Sequence, residues 1–450
     1  MKNSFLVLII TILTTPFTSS AQTAPATQDS LPPLLNLEQC LVYALQNQPA
    51  ARQARIDEAI NEKDVRINLA AWLPQVNSAN TATHYFKGSP AQAQGAVANG
   101  GTATQISNIS IIGIQATQVI YNNDVNLASK AAKFSKQYYN ENTINAQIAV
   151  MTDVSKGYYD VLLSQKQLQR IKEDITRLQR SLKDAKARYD AGVVDKIDYK
   201  QATIALNNSL ASRKQTEEAI KSKSAYLRQV MGMPMERPLT LAYDSVGFER
   251  EAIADTNQIV NPADRIEYRM QESRRSITAL NINYYKYGWL PSLNANGAFN
   301  RAYFSGSLPN LYDQGFPNVY AGLSLTIPIF TGTRRVQNLA KAKLQVERAD
   351  LDIINVRNTI NTQYAQALAG YKSNYNNWKL LKQNVDLAKD VYNVVSLQYR
   401  EGVKTYLDLI VSQSDLRTAE LNYLNALFQL LSSKVDLQRS LGTIGNINKQ

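Results

Sequence analysis

Cysteine is almost missing from this 450-residue chain. The single one, Cys40, excludes an intrachain disulfide. Leu37-Glu38-Gln39 before it lacks the small residues of a lipoprotein cleavage site, so Cys40 reads as a small apolar core residue. There is one histidine, His84, in an expected strand with no cysteine nearby. It cannot anchor a His/Cys metal cluster and reads as structural. Glycine (19) and proline (14) are scarce, and long Ala/Leu/Gln/Lys-rich stretches take their place, which favours long helices. No stretch after the N-terminal region reaches about 18 apolar residues, which excludes a transmembrane helix. No phosphate-binding loop, nucleophile–base constellation or metal cluster is present, so the sequence predicts neither an enzyme nor a cofactor. The net charge is +12. Lys and Arg alternate with Asp and Glu along helical stretches, as on solvated helix faces, which argues against a nucleic-acid partner.

Positive charge at Lys2, the apolar run Phe5 to Leu13 and the small residues Ser19-Ser20-Ala21 form a secretory signal peptide over 1–21. A Pro/Thr/Gln-rich flexible leader, 22–35, follows. Export without a helical anchor leaves the periplasm, the medium, or an outer membrane entered as a β-barrel.

The rest of the chain is written twice. Arg188 to Tyr199 (Arg-Tyr-Asp-Ala-Gly-Val-Val-Asp-Lys-Ile-Asp-Tyr) returns at Gln398 to Leu409 (Gln-Tyr-Arg-Glu-Gly-Val-Lys-Thr-Tyr-Leu-Asp-Leu). In each, a Gly suited to a left-handed conformation ends a helix, and an Asp lies early in the next, where a carboxylate favours the positive dipole end. The first repeat, 36–232, is expected to hold a helix over Asn36–Trp72, a strand hairpin over 75–121, a long helix over 122–190, a turn at 191–195 and a helix over 196–231. An irregular connection covers 233–261. The second repeat, 262–442, follows the same order: a helix opening at Asn261-Pro262, a hairpin over 292–330, a helix over 333–400, a turn at 401–405 and a helix over 406–441. A polar tail, 443–450, ends the chain. Ile171, Ile175, Leu178, Leu182, Ala185 and Tyr189 recur at spacings of 4 and 3, a coiled-coil period. The same alternation runs from Ile360 through Tyr371 and Trp378 to Tyr399.

The strands are strongest over Val319 to Phe330, where Val319, Ala321, Leu323, Leu325, Ile327 and Ile329 share one face. Strands of this length suit a tilted bilayer crossing, but four cannot close a barrel, and open edges are not tolerated in lipid. Several chains must then share one barrel; three would give twelve strands. The expected fold is mainly α: a long antiparallel helical barrel with four strands per chain contributing to a shared twelve-stranded trimeric β-barrel.

These features together resemble the TolC-type outer-membrane efflux proteins over Leu37 to Gly442. The resemblance rests on the opening Leu37-Glu38-Gln39-Cys40 with Ala44-Leu45 and Asn47-Gln48-Pro49, on both Leu-Pro strand starts (Leu73-Pro74, Leu290-Pro291), on Pro328-Ile329-Phe330, and on both Gly-Val turns followed by Asp. It implies a homotrimer in outer-membrane lipid that acts as a passive exit duct. A periplasmic membrane-fusion adaptor and an inner-membrane pump of RND, ABC or MFS type would be its partners. It also implies adaptor docking at Ala191-Gly192-Val193 and Glu401-Gly402-Val403, and a periplasmic gate formed by Asp408 with Tyr399, Lys404 and Asp198. Val411 stands where some members carry a second gate Asp, so a double acidic ring is not expected. The rival readings are a secreted coiled-coil scaffold without a pore and, far behind, an envelope hydrolase.

Overall fold

A computed structural model describes residues 34–87, 106–242 and 245–444. The expected signal peptide, nearly all of the expected leader, residues 88–105 and 243–244, and the expected tail beyond 444 lie outside the described residues. The elements run α1 (Leu37–Asn47), α2 (Pro49–Ala70), β1 (Gln75–His84), β2 (Asn108–Tyr121), α3 (Asn123–Asp190) and α4 (Lys196–Met231). A short α5 (Ser245–Glu251) and a 3-10 turn (Pro262–Asp264) lead to α6 (Ile266–Lys286), β3 (Ser292–Ser305), β4 (Gly315–Thr326), α7 (Arg334–Arg400) and α8 (Tyr406–Leu441).

α3 and α7 have 68 and 67 residues, roughly 100 Å each. Near the sheet, α3 packs on α2 and α6, and α6 on α7; near the turns, α3 packs on α4 and α8, and α8 on α7. The helices therefore lie side by side in the order α2-α3-α6-α7 above and α4-α3-α8-α7 below. The two long helices run through both halves. The heptad seam accounts for this packing: Ile171, Ile175, Leu178 and Ala185 on α3, and Ile360, Tyr371, Trp378 and Tyr399 on α7, are all buried. Tyr189 departs from its expected seam role. It is exposed and stacks on Tyr199 across the turn, with ring centroids 6.2 Å apart.

The outer helices of the row keep apolar stripes with no partner among the described residues. On α2, Ile56, Ile60 and Ile67 are exposed; on α7, Val336, Leu344, Leu351 and Ile354 are, and lower down Leu380, Leu387, Val391 and Val394. These spacings are again helical, so α7 carries a second seam facing away from its own chain.

The four strands form one antiparallel sheet in the order β1-β2-β3-β4. Register sorts its faces. Val76, Ala116, Gly297 and Ala321 lie in one cross-strand row, Ile114, Phe299 and Val319 in another, and Leu293 with Leu325 in a third; these make one apolar face. The opposite face carries Asn77 with Gln115, Thr117 with Asn296, and Asn294 with Ser324 toward the helices, but turns apolar at the far end, where Ile109 meets Phe304 and Ile111 meets Ala302. There Asn80, Ile112 and Arg301 share a row on the first face. No strand contains a carboxylate, and the outer edges of β1 and β4 are unpaired.

Several elements differ from expectation for local reasons. The helix expected over Asn36–Trp72 is two, because Pro49 has no N–H and holds Gln48 extended (φ −66°, ψ 125°). The Gln48 side chain then accepts from Ala51 N at 3.0 Å and starts α2. The end of the supposed flexible leader is tied down. Leu35 is buried and bridges Leu241 in parallel, its N–H donating to Thr240 at 3.0 Å. The irregular connection contains α5, whose Phe248 packs edge-on against Tyr158 and Tyr159. The helix expected to open at Asn261-Pro262 begins at Ile266 after a 3-10 turn and an extended Arg265. β4 starts at Gly315 and stops at Thr326, ahead of Pro328, so Ile327 and Ile329 fall outside the ladder.

The main core sits at mid-height, where α1, α3, α4, α7 and α8 meet the connection. The Tyr371 hydroxyl accepts from Ala254 N (2.7 Å) and donates to Ala252 O (3.0 Å), which pins this strap onto α7. Lys382 pairs with Glu249 at 2.6 Å beside it.

Candidate functional site at the two helical turns

Both turns end a long helix in the same way. Gly192 has φ 72° and Gly402 φ 76°. In the first, Val193 N donates to Arg188 O (2.9 Å); in the second, Val403 N donates to Gln398 O (2.9 Å). This double-bonded left-handed stop satisfies the carbonyls that the helix end orphans. Ala191, Gly192, Val193, Glu401, Gly402 and Val403 are all exposed at this tip, with Val193 at 70% and Val403 at 72%.

The helices leaving the turns are capped differently. In α8 the Thr405 hydroxyl and Asp408 carboxylate form a reciprocal capping box. Asp408 N donates to Thr405 Oγ1 (3.2 Å), and Thr405 N donates to Asp408 Oδ2 (3.0 Å). These bonds from Thr405, with Lys404 adding to them, hold the Asp408 carboxyl below its ordinary value. In α4 the equivalent cap position is Asp195, which makes no capping bond, and Asp198 stands where Asp408 does. Burial first, and the neighbouring Asp195 second, push the Asp198 carboxyl above its ordinary value.

Of the four gate candidates, the structure buries Tyr399 in the tip core, sets Asp198 early in α4, and pairs Lys404 with Asp408. Tyr399 is buried at the centre of the tip core, with Ala185, Ala202, Tyr406 and Leu409. Its ring meets Tyr406 edge-on at 5.9 Å, and the Arg188 guanidinium lies 4.9 Å from its centre. Burial raises the Tyr399 phenol against the lowering pull of Arg188, and the charges of Asp198 and Asp184 raise it further. Lys404 and Asp408 instead pair with each other, at 3.8 Å and both exposed, on the first turn of α8.

Two features escaped the sequence reading. Tyr406 is buried with its hydroxyl unpartnered, and burial drives its phenol up. Its only sequence signal is an aromatic at the first helical position after Thr405. Above it, Asp174 of α3 is fully buried. It accepts from Ser209 of α4 (3.0 Å) and Gln413 of α8 (3.1 Å), with Arg177 and Arg417 at 3.4 and 3.9 Å. A groove of about 350 Å³ lies over it, walled by Ile204, Leu407 and Val411. Among the described residues no group of three or more His, Cys, Asp or Glu is placed to hold a metal ion.

The tip is thus a junction of two hairpins, with charged and phenolic side chains at their contact. Comparison with known proteins agrees in sequence and in shape. The model of the family described as "Outer membrane efflux protein" matches residues 41–233 and 269–443. The chain is 21% identical over 417 residues to the outer membrane protein TolC of Vibrio cholerae, covering 91% of each. It is 22% identical to the outer membrane protein OprJ of Pseudomonas aeruginosa, over 90% of this chain and 84% of that one. The crystal structure of the outer membrane protein VceC from Vibrio cholerae superposes with a TM-score of 0.70 at 16% identity, over 90% of this chain and 96% of that one. The resemblance read from the paired turns is therefore borne out: this chain belongs to the outer membrane efflux protein family.

Proposed function

We propose that this chain is the outer-membrane duct of a tripartite efflux or secretion system, assembled as a homotrimer. The chain is a channel protein of the outer membrane and not an enzyme. The observation that carries the finer reading is the sheet: one face mainly apolar, the other polar toward the helices, no carboxylate in any of its strands, and both outer edges unpaired among the described residues. Such a sheet meets the demands of a bilayer only when its edges pair with further copies, and three copies give twelve strands. The helices support the same closure. α2 leads into edge strand β1 and α7 leaves edge strand β4, and these two helices carry the unpartnered apolar stripes, so β4 and α7 of one copy meet β1 and α2 of the next.

In this reading the apolar face meets lipid and the polar face lines water. The helices extend the duct through the periplasm to the tip. An adaptor from an inner-membrane pump docks at Ala191–Val193 and Glu401–Val403, where exposed valines crown both turns. The duct opens when the second hairpin moves off the first. Tyr399, Arg188 and Asp198 hold the two together at the core of the tip, and Lys404 with Asp408 holds the start of α8. The pump class and the exported compound are set by the partners. The test is planar-bilayer recording from the purified protein: discrete channels of uniform conductance support the reading, and an absence of channels from membrane-extracted protein contradicts it.

A further inference from the structure

At the join of sheet and helices lies an open pocket of about 500 Å³, bordered by α3, α7, β3, β4 and the end of α6 of a single chain. Arg334 and Arg335 line it together with Asn123, Asn338, Ser292 and Thr326. Neither arginine has an ion pair or hydrogen bond among the described residues.

Counter-charge is scarce here. No Asp or Glu occurs over 65–123, 273–312 or 314–346, the segments that build the sheet and its approaches. The one carboxylate in the wall, Asp124, is engaged by the Tyr284 hydroxyl at 2.5 Å. A neighbouring copy joined through β1 would bring residues 67–84 alongside, and these contain no acid. Arg334 is exposed and Arg335 half-buried, and neither guanidinium fork is bonded to an acceptor among the described residues, so both are open to phosphate-like oxyanions, which they bind by paired hydrogen bonds. The side on which the cavity opens follows from register: Ser292 and Thr326 pair with each other and belong to the polar face of the sheet.

We propose that Arg334 and Arg335 form a binding pocket for dissolved phosphate-class oxyanions at the throat of the duct, one per chain. The direction from which the anion arrives rests on the proposed duct; the pocket itself does not. A lipid headgroup phosphate is the other source of the same chemistry, and it would have to reach the pocket from the apolar face.

The test is calorimetric titration of pyrophosphate into detergent-solubilised full-length protein, wild type against Arg334→Gln, Arg335→Gln and the double variant, with mass and melting temperature as folding controls. The expected result is saturable binding, weakened roughly tenfold by either substitution and lost in both together. Arg335→Lys keeps the charge but loses the fork and should fall between. Absence of binding to well-folded wild type, or equal binding by the double variant, overturns the pocket even if the protein conducts normally. Loss of co-purifying phospholipid in the double variant, with pyrophosphate ignored by all, would assign the site to lipid and overturn the proposal. A wild type that binds pyrophosphate but forms no channels would remove the duct and leave the pocket.

Discussion

Gln413 on α8 donates a 3.1 Å hydrogen bond to the buried carboxylate of Asp174 on α3, across 239 residues of chain. It joins the second helical hairpin to the first above the tip, and Ser209 completes the carboxylate from α4. The site is almost dry, with the Asp174 side chain 2% exposed. Removing the charge therefore strands two arginines and two polar groups rather than sparing a desolvation cost. Asp174→Ala should destabilise the helical region by about 3–5 kcal/mol and raise open-channel probability. Asp174→Asn should do both to a smaller degree, since it keeps one acceptor. Thermal unfolding and bilayer recording of the two variants check this; an Asp174→Ala protein as stable and as closed as wild type would show that the tie is idle.

Acidity should act on the two turns in opposite senses. Asp408 is held below its ordinary value by Thr405, so its cap is intact above that ordinary value and is lost as pH falls through the depressed one. Asp198 is held above its ordinary value by burial, so its contribution is favourable below the ordinary value and is lost as pH rises through the raised one. Lowering pH from about 5 to about 3 spans the carboxylate range and should uncap α8 while relieving the crowding of Asp198 and Asp195. Wild-type gating should then change across this window. Asp408→Asn should abolish the part that comes from α8, and single-channel recording at stepped pH separates the two.

Not every left-handed glycine carries the same burden. At Gly402 a Cβ would meet nothing within 4 Å, so Gly402→Ala costs only backbone strain, about 1–2 kcal/mol. At Gly232, with φ 69°, a Cβ would lie 2.6 Å from the Asn47 carbonyl oxygen, a backbone atom that cannot swing away. Gly232→Ala should therefore lower the melting temperature far more than Gly402→Ala, because it pries α1 from the end of α4. Equal melting temperatures would refute the close approach.

The face assignment of the sheet can be tested by charge. Val319→Arg or Leu323→Arg puts a cation on the apolar face and should cost about 2–4 kcal/mol at mid-depth. Asn294→Arg or Ser324→Arg, on the other face, should be tolerated. The amount of heat-resistant protein in the outer-membrane fraction reads the difference; a reversed order would exchange lipid and water sides.

The paired turns were legible because a glycine followed by valine, at the end of a heptad run, has few other uses. Strand faces were legible where alternation was strict, as from Val319 to Leu325. The joining of β2 to β3 into one sheet was not, since pairing between strands far apart in sequence leaves no local mark. Pro49 was a plain signal for the break between α1 and α2, and the surrounding apolar period masked it. Leu35 looked free because its partner, Leu241, lies 206 residues away in an irregular stretch. Asp174 looked like one more solvated charge; only Ser209 of α4 and Gln413 and Arg417 of α8 reveal it as buried. At the gate, the resemblance pointed to Tyr399, which the fold buries in the tip core, and to Asp198, which lies early in α4. It also pointed to Lys404 and Asp408, which the fold pairs with each other.

The central claim is that one chain supplies a third of a closed barrel. The most direct measurement is the mass of the detergent-extracted protein by light scattering, with the bound detergent subtracted. The account predicts a membrane-fraction particle of three mature chains, each somewhat below the 50.2 kDa of the full sequence. A soluble monomer or dimer with no membrane association would contradict it and return the chain to a scaffold without a pore.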